Sequence, residues 1–165
     1  MSATARATAL DYAQFDPFWL EEPVAPLDYE GHRLLRSEVP YPIATGENLY
    51  TLDGFRPLLE RDACDYVMPD VARCGGLGQT IDVCREALSC GVVPSPHVFG
   101  SGISLAATLH LMAALPGTQL LEFDPSGTSL HNEVFVDPLI VEDGEVVVPT
   151  APGLGVQLPQ ELTGR

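Results

Sequence analysis

Five titratable residues stand at nearly even intervals along the chain. They are Glu21, Glu47, Asp70, His97 and Glu122, separated by 26, 23, 27 and 25 positions. Each lies at or just past the end of a short apolar run: FWL, PIAT, DYVM, VVP and QLL. A period of about 25 residues is one strand, one helix and two loops. In a parallel barrel every strand opens at its C-terminal end on the same face, where active sites are built. The spacing therefore predicts four carboxyl groups and one imidazole, all able to exchange protons, gathered at one mouth. Other chemistries are excluded within this chain. All eight basic residues are arginine, so a phosphate-loop lysine, a Schiff-base lysine and a lysine general base are ruled out. The string G-G-L-G at 75–78 lacks the lysine and serine of a phosphate loop and predicts a tight turn after Asp70. Cys64, Cys74, Cys84 and Cys90 form no C-x-x-C pair and are expected to be reduced and mostly buried. His110 is expected to pack on a helix face, and His32 and His131 to lie at the surface.

The elements that must position these groups alternate. Helices are expected over 3–14, 28–38 (with Asp28 as N-cap), 51–63, 76–91 and 101–117, although Gly54 and Pro57 weaken the third. Strands are expected over 18–23, 42–48, 65–70, 92–97 and 119–124. Strand–helix alternation is the mark of parallel βα units in an α/β fold. A complete barrel needs about 250 residues, so five strands make part of one. Beyond them, two apolar runs around Asp143-Gly144 predict a small hairpin, and 149–156 reads as loop.

Composition bounds the partners. Forty-five per cent of the residues are apolar and 19 per cent charged, enough to build a core. The net charge of −15 argues against nucleic acid, whose binding needs a basic face, and against anionic membrane. No apolar run approaches a membrane span, and the first residues carry no secretory signal pattern, so a cytoplasmic protein is expected.

The strings FWLEEP, GEN in ATGEN, MPDVARCGG, PSPH, LLEFD and PGLGV occur in one order and cover nearly the whole chain. Together they resemble the enolase superfamily, and within it the mandelate racemase/muconate lactonizing enzyme family. The stretches HVFGSGISLAATLHLMAALP and LLEFDPSGTSLHNEVFVDPL look like members acting on acid sugars, such as sugar-acid dehydratases and galactarolactone cycloisomerases. The resemblance implies the C-terminal part of a TIM-type (β/α)7β barrel over 1–133, with a hairpin and loop over 134–165 that would pack toward a capping domain. It implies Glu21 and Glu47 as ligands of Mg²⁺, a hard cation that prefers oxygen. It implies His97 as general base, with Asp70 fixing its tautomer, and Glu122 across the site on the developing enediolate or as an acid. Glu22 would point elsewhere or hydrogen-bond behind the ligands. The implied chemistry is removal of a proton α to a carboxylate, followed by racemisation, dehydration or cycloisomerisation, on a small sugar acid or lactone.

The same resemblance implies parts that this chain does not carry: the capping domain, the first three barrel strands, a K-x-K base motif and an aspartate ligand. The chain is therefore expected to be a truncated form, beginning in the helix before the fourth strand. Two expectations follow. One is an enzyme, a homo-oligomer in its full-length form, that works once the missing half is supplied. The other is a non-catalytic half barrel, a remnant or assembly partner.

Overall fold

Four short strands lie side by side in the computed structural model, which describes residues 1–118, 120–124 and 134–163. They are β1 (Leu20–Glu21), β2 (Ile43–Thr45), β3 (Tyr66–Val67) and β4 (Val93–Pro94). All neighbours pair in parallel, in the order β1-β2-β3-β4. The register runs Glu21 to Ala44, Ala44 to Tyr66 and Tyr66 to Val93. Their C-terminal ends consequently form one rim. The helices between them are α2 (Tyr29–Glu38), α3 (Thr51–Glu60) and α4 (Gly76–Ser89). Helix α1 (Ala3–Tyr12) and a 3-10 turn precede β1, and α5 (Gly102–Ala114) follows β4.

The local chemistry explains these elements. Asp28 caps α2 as expected, accepting the Gly31 N–H at 2.9 Å. Ser2 and Ser101 do the same for α1 and α5. Pro57 sits inside α3 and lacks a backbone donor. The helix forms regardless, because it buries Phe55, Leu58 and Leu59 against Val67, Val83 and Ala87. Alternate strand residues face opposite ways. Val67 enters this helix-side core, and Ile43 joins Leu35, Tyr41 and Ala9 in a second one. Tyr66 faces the other way and meets Trp19 and Phe18, with ring centroids 5.0 and 5.9 Å apart. That concave side stays open among the described residues: Phe18 is 60% exposed and Leu120 49%. At the end of the sheet opposite the rim, Asp65 accepts the Ile43 N–H and the Arg36 Nε–H, both at 2.8 Å.

Two expectations need correction. The fifth strand is not formed by the described residues 120–124, and Gln119 lies outside them. A side chain ties the segment to the loop after β4: the Ser95 hydroxyl donates to the Leu120 carbonyl at 3.0 Å. His32 is wholly buried, not at the surface. It lies one turn from Leu35 on the inner face of α2, and its Nδ1 hydrogen-bonds the Asp28 carbonyl at 3.0 Å. Burial pushes its pKa down, which keeps the ring neutral. His131 lies outside the described residues. Cys64, Cys74 and Cys84 are buried and Cys90 exposed, all as free thiols.

The chain after α5 forms the expected hairpin, β5 (Val141–Glu142) with β6 (Glu145–Val146). Asp143 and Gly144 both have positive φ, the geometry of a two-residue type I′ turn. Val134 and Phe135 pack on Ala106 of α5, and His110 Nε2 hydrogen-bonds the Leu154 carbonyl at 3.1 Å. A last short helix, α6, spans Gln160–Thr163.

Candidate active site

All five residues singled out by their spacing reach the rim, Glu122 from a segment without a ladder. Glu21 is the last residue of β1. Glu47 follows β2 after Gly46, whose φ of +130° suits glycine and little else. An added Cβ at Gly46 would stand 2.9 Å from the Phe55 ring and 3.2 Å from the Met68 nitrogen. Asp70 comes three residues after β3 and His97 three after β4. Asp70 is fixed by the turn that follows. Its carboxylate accepts the Ala72 N–H at 2.7 Å, and its carbonyl accepts the N–H of Arg73 and Cys74. Gly75 and Gly76, both at positive φ, complete the expected tight turn before α4.

His97 is the centre of the arrangement. Its ring is 7% exposed. Nδ1 lies 2.8 Å from Asp70 Oδ2, and Nε2 lies 2.5 Å from Glu47 Oε2 and 3.5 Å from Glu122 Oε2. Burial alone would lower the imidazole pKa. The Asp70 hydrogen bond and the charges of Glu122, Glu47 and Asp70 outweigh it and hold the ring above its ordinary value. Glu122 is steadied by the Val98 N–H at 3.3 Å. Burial raises the Glu122 carboxyl, with Glu47 and Asp70 adding to it and His97 opposing. Glu21 is raised in the same way by burial, then by Glu122 and Glu47, against the pull of His97. Carboxylates crowded together resist ionising at once, and a cation among them relieves the repulsion.

Glu22 turns away from this cluster. Its φ of +42° is unusual for a residue with a side chain. The carboxylate accepts from the Thr45 hydroxyl at 3.0 Å, the Gly46 N–H at 3.3 Å and Asn48 Nδ2 at 3.0 Å. Asn48 Nδ2 also donates to Glu47 Oε1 at 2.7 Å, while its Oδ1 accepts from Arg73 at 2.7 Å. Asn48 and Arg73 were not picked out in the sequence, although both lie within strings that were, GEN and MPDVARCGG.

Glu21 and Glu47 suit Mg²⁺ in kind, being hard oxygen donors with excess negative charge around them. They are fewer than a protein cage needs. Among the described residues no group of three His, Cys, Asp or Glu side chains stands ready to hold a metal ion. Magnesium commonly takes one or two carboxylates and completes its shell with water and substrate oxygens, so this donor set fits as part of a site.

Parallel βα units with a hydrogen-bonded His–Asp pair and carboxylates on the strand-end rim define a partial barrel of the enolase type. Residues 1–162 match the model described as enolase C-terminal domain-like, and the chain belongs to that family, on the mandelate racemase/muconate lactonizing enzyme branch of the enolase superfamily. Among curated proteins it is 32% identical to D-galactarolactone cycloisomerase of Agrobacterium fabrum, over 90% of this chain and 42% of that protein. It is 30% identical to D-xylonate dehydratase of Haloferax volcanii, over 94% of this chain and 38% of that one. The solved 3,6-anhydro-D-galactonate cycloisomerase of Zobellia galactanivorans superposes with a TM-score of 0.89 at 34% identity, over 97% of this chain and 45% of its own. The chain thus spans about two fifths of the length of these curated relatives. No described helix is long and apolar enough to cross a membrane.

Proposed function

We propose that this chain carries the His97 half of an enolase-type site, one that removes the proton α to the carboxylate of a sugar acid or its lactone. The observation that carries the reading is His97 held by Asp70 on one nitrogen and facing Glu47 and Glu122 with the other. With Asp70 on Nδ1, the proton stays there in the neutral ring, and Nε2 is the atom that takes a substrate proton. Asp70 then stabilises the imidazolium. Glu122, with its raised carboxyl, is the group able to donate a hydrogen bond or proton to the developing enediolate. Glu21 and Glu47 would hold Mg²⁺, which when bound offsets the charge that builds on the substrate carboxylate. Were Glu47 to hold the ion, its Oε2 would be engaged there rather than at His97, and Nε2 would be left to the substrate. Dehydration and cycloisomerisation, the reactions named for the relatives, differ only in what the enediolate does next.

The test is exchange of the substrate α-proton in deuterated water with Mg²⁺ present, followed by NMR across a panel of aldonic and aldaric acids and lactones. The chain is assayed alone and fused behind the N-terminal three fifths of the galactarolactone cycloisomerase. Exchange that disappears in His97→Asn is expected. No exchange in either format sinks the proposal. The open concave face supports a second reading, a half barrel that serves as an assembly partner. That reading requires a defined oligomer and no Mg²⁺ affinity, so binding lost in Glu47→Gln counts against it.

A further inference from the structure

The side chains behind the rim form one connected network whose centre is Asn48. Its amide makes three contacts: Nδ2 to Glu22 Oε2 at 3.0 Å, Nδ2 to Glu47 Oε1 at 2.7 Å, and Oδ1 from Arg73 at 2.7 Å. Both amide protons and one oxygen lone pair are therefore engaged. The orientation is forced. Turned over, the amide would aim its oxygen at two carboxylates and its nitrogen at a guanidinium. The three partners come from three different strand ends: Glu22 after β1, Glu47 after β2, and Arg73 in the turn after Asp70. Glu22 is held in a left-handed backbone conformation while its carboxylate also binds Thr45 and Gly46. Strain of this sort persists only where the surroundings fix it, and it concentrates at working sites.

We infer that Asn48 is a positioning residue: it latches three strand-end loops together and, by holding Oε1 of Glu47, aims Oε2 into the site. Glu22 anchors the latch and Arg73 closes it from outside. The network explains why a non-ligand glutamate follows Glu21 and why an asparagine follows Glu47. Arg73 also stands 3.8 Å from Glu47 Oε1, an ion pair that favours the same orientation, with Oε2 toward His97.

The deciding experiment is a set of crystal structures of the whole chain carrying Asn48→Asp, Asn48→Ala or Arg73→Ala. Asn48→Asp keeps the volume and the acceptor for Arg73 but loses both donors and adds a charge beside Glu22 and Glu47. Asn48→Ala removes the donors without that charge, so displacement in both variants marks a latch. In both Asn48 variants Glu47 Oε2 is expected to leave His97 Nε2, with Asn48→Asp the more displaced. A Glu47 carboxylate that stays within about 3 Å of His97 Nε2 in the variants overturns the latch. Arg73→Ala removes only the half-exposed outer contact, and displacement there decides the matter if the Asn48 variants fail to fold. A second readout, Mg²⁺ affinity by calorimetry, rests on the reading of Glu47 as a ligand. Asn48→Asp is expected to weaken binding tenfold or more, with Glu47→Gln as the reference for loss. Equal affinity in wild type and Asn48→Asp, when Glu47→Gln has lost it, also overturns the latch. If Glu47→Gln matches wild type, the ligand reading fails, while the crystallographic outcome still decides the latch.

Discussion

At the scale of single residues, the His97 environment makes a pH signature. A group that holds its proton more tightly in the folded state than in the unfolded chain stabilises the fold at low pH and loses that contribution as pH rises. His97 is such a group: its contribution is complete below its ordinary value of 6.5 and fades as pH climbs through the raised one. Glu21 and Glu122 act in the same direction from 4.5 upward, because their raised carboxyls ionise against burial and like charge. In magnesium-free buffer, urea midpoints are therefore expected to fall as pH rises above 6.5, and His97→Asn to flatten that fall. A wild-type midpoint that rises over the same range contradicts the assignment. Mg²⁺ should also shrink the slope, since it neutralises the charge that the protons otherwise offset. The five strand-end groups were legible in the sequence because a period of one βα unit is a property of the chain itself. The contact of His97 with Glu47 was not, because it depends on which way two side chains turn across neighbouring loops.

At the scale of elements, the loop after β2 has the most demanding geometry near the site. Gly46 combines a positive φ with close approach to Phe55 and the Met68 backbone. Gly46→Ala is expected to cost about 2 kcal/mol, from the left-handed backbone and overpacking together, and to displace Glu47; chemical unfolding and Mg²⁺ titration read the two effects separately. Helix α3 gives the opposite lesson. Its Gly54 and Pro57 argue against a helix, yet tertiary packing decides. Phe55→Ala, at a fully buried position, should remove roughly 3–5 kcal/mol. The expected helices formed with boundaries shifted by a few residues, since caps such as Asp28 and Ser101 are read from local sequence. The strand over 119–124 failed as an expectation for a physical reason. A short apolar run such as QLL marks a segment for burial, while a ladder needs a partner in register, and Ser95 meets Leu120 through a side chain.

At the scale of the whole molecule, a strongly acidic surface opposes an exposed apolar concave face. Charge repulsion opposes association of copies and is screened beyond about 10 Å at 0.1 M salt. Sedimentation in rising salt is therefore expected to show growing self-association, reduced in a Phe18→Ser/Leu120→Ser double variant. Association that ignores both salt and these residues argues for a different contact. The class of fold was readable from the βα period and from the motif order. The burial of His32 was not, because a lone histidine carries no signal of which helix face will turn inward. The clamp of Asp65 on Arg36 and Ile43 sits at the far end of the strands from His97. One fastening of the sheet thus lies wholly apart from the rim, while the Asn48 network lies within it. A change at Asp65 would therefore slacken the sheet from its floor and leave every group on the rim with its own neighbours intact.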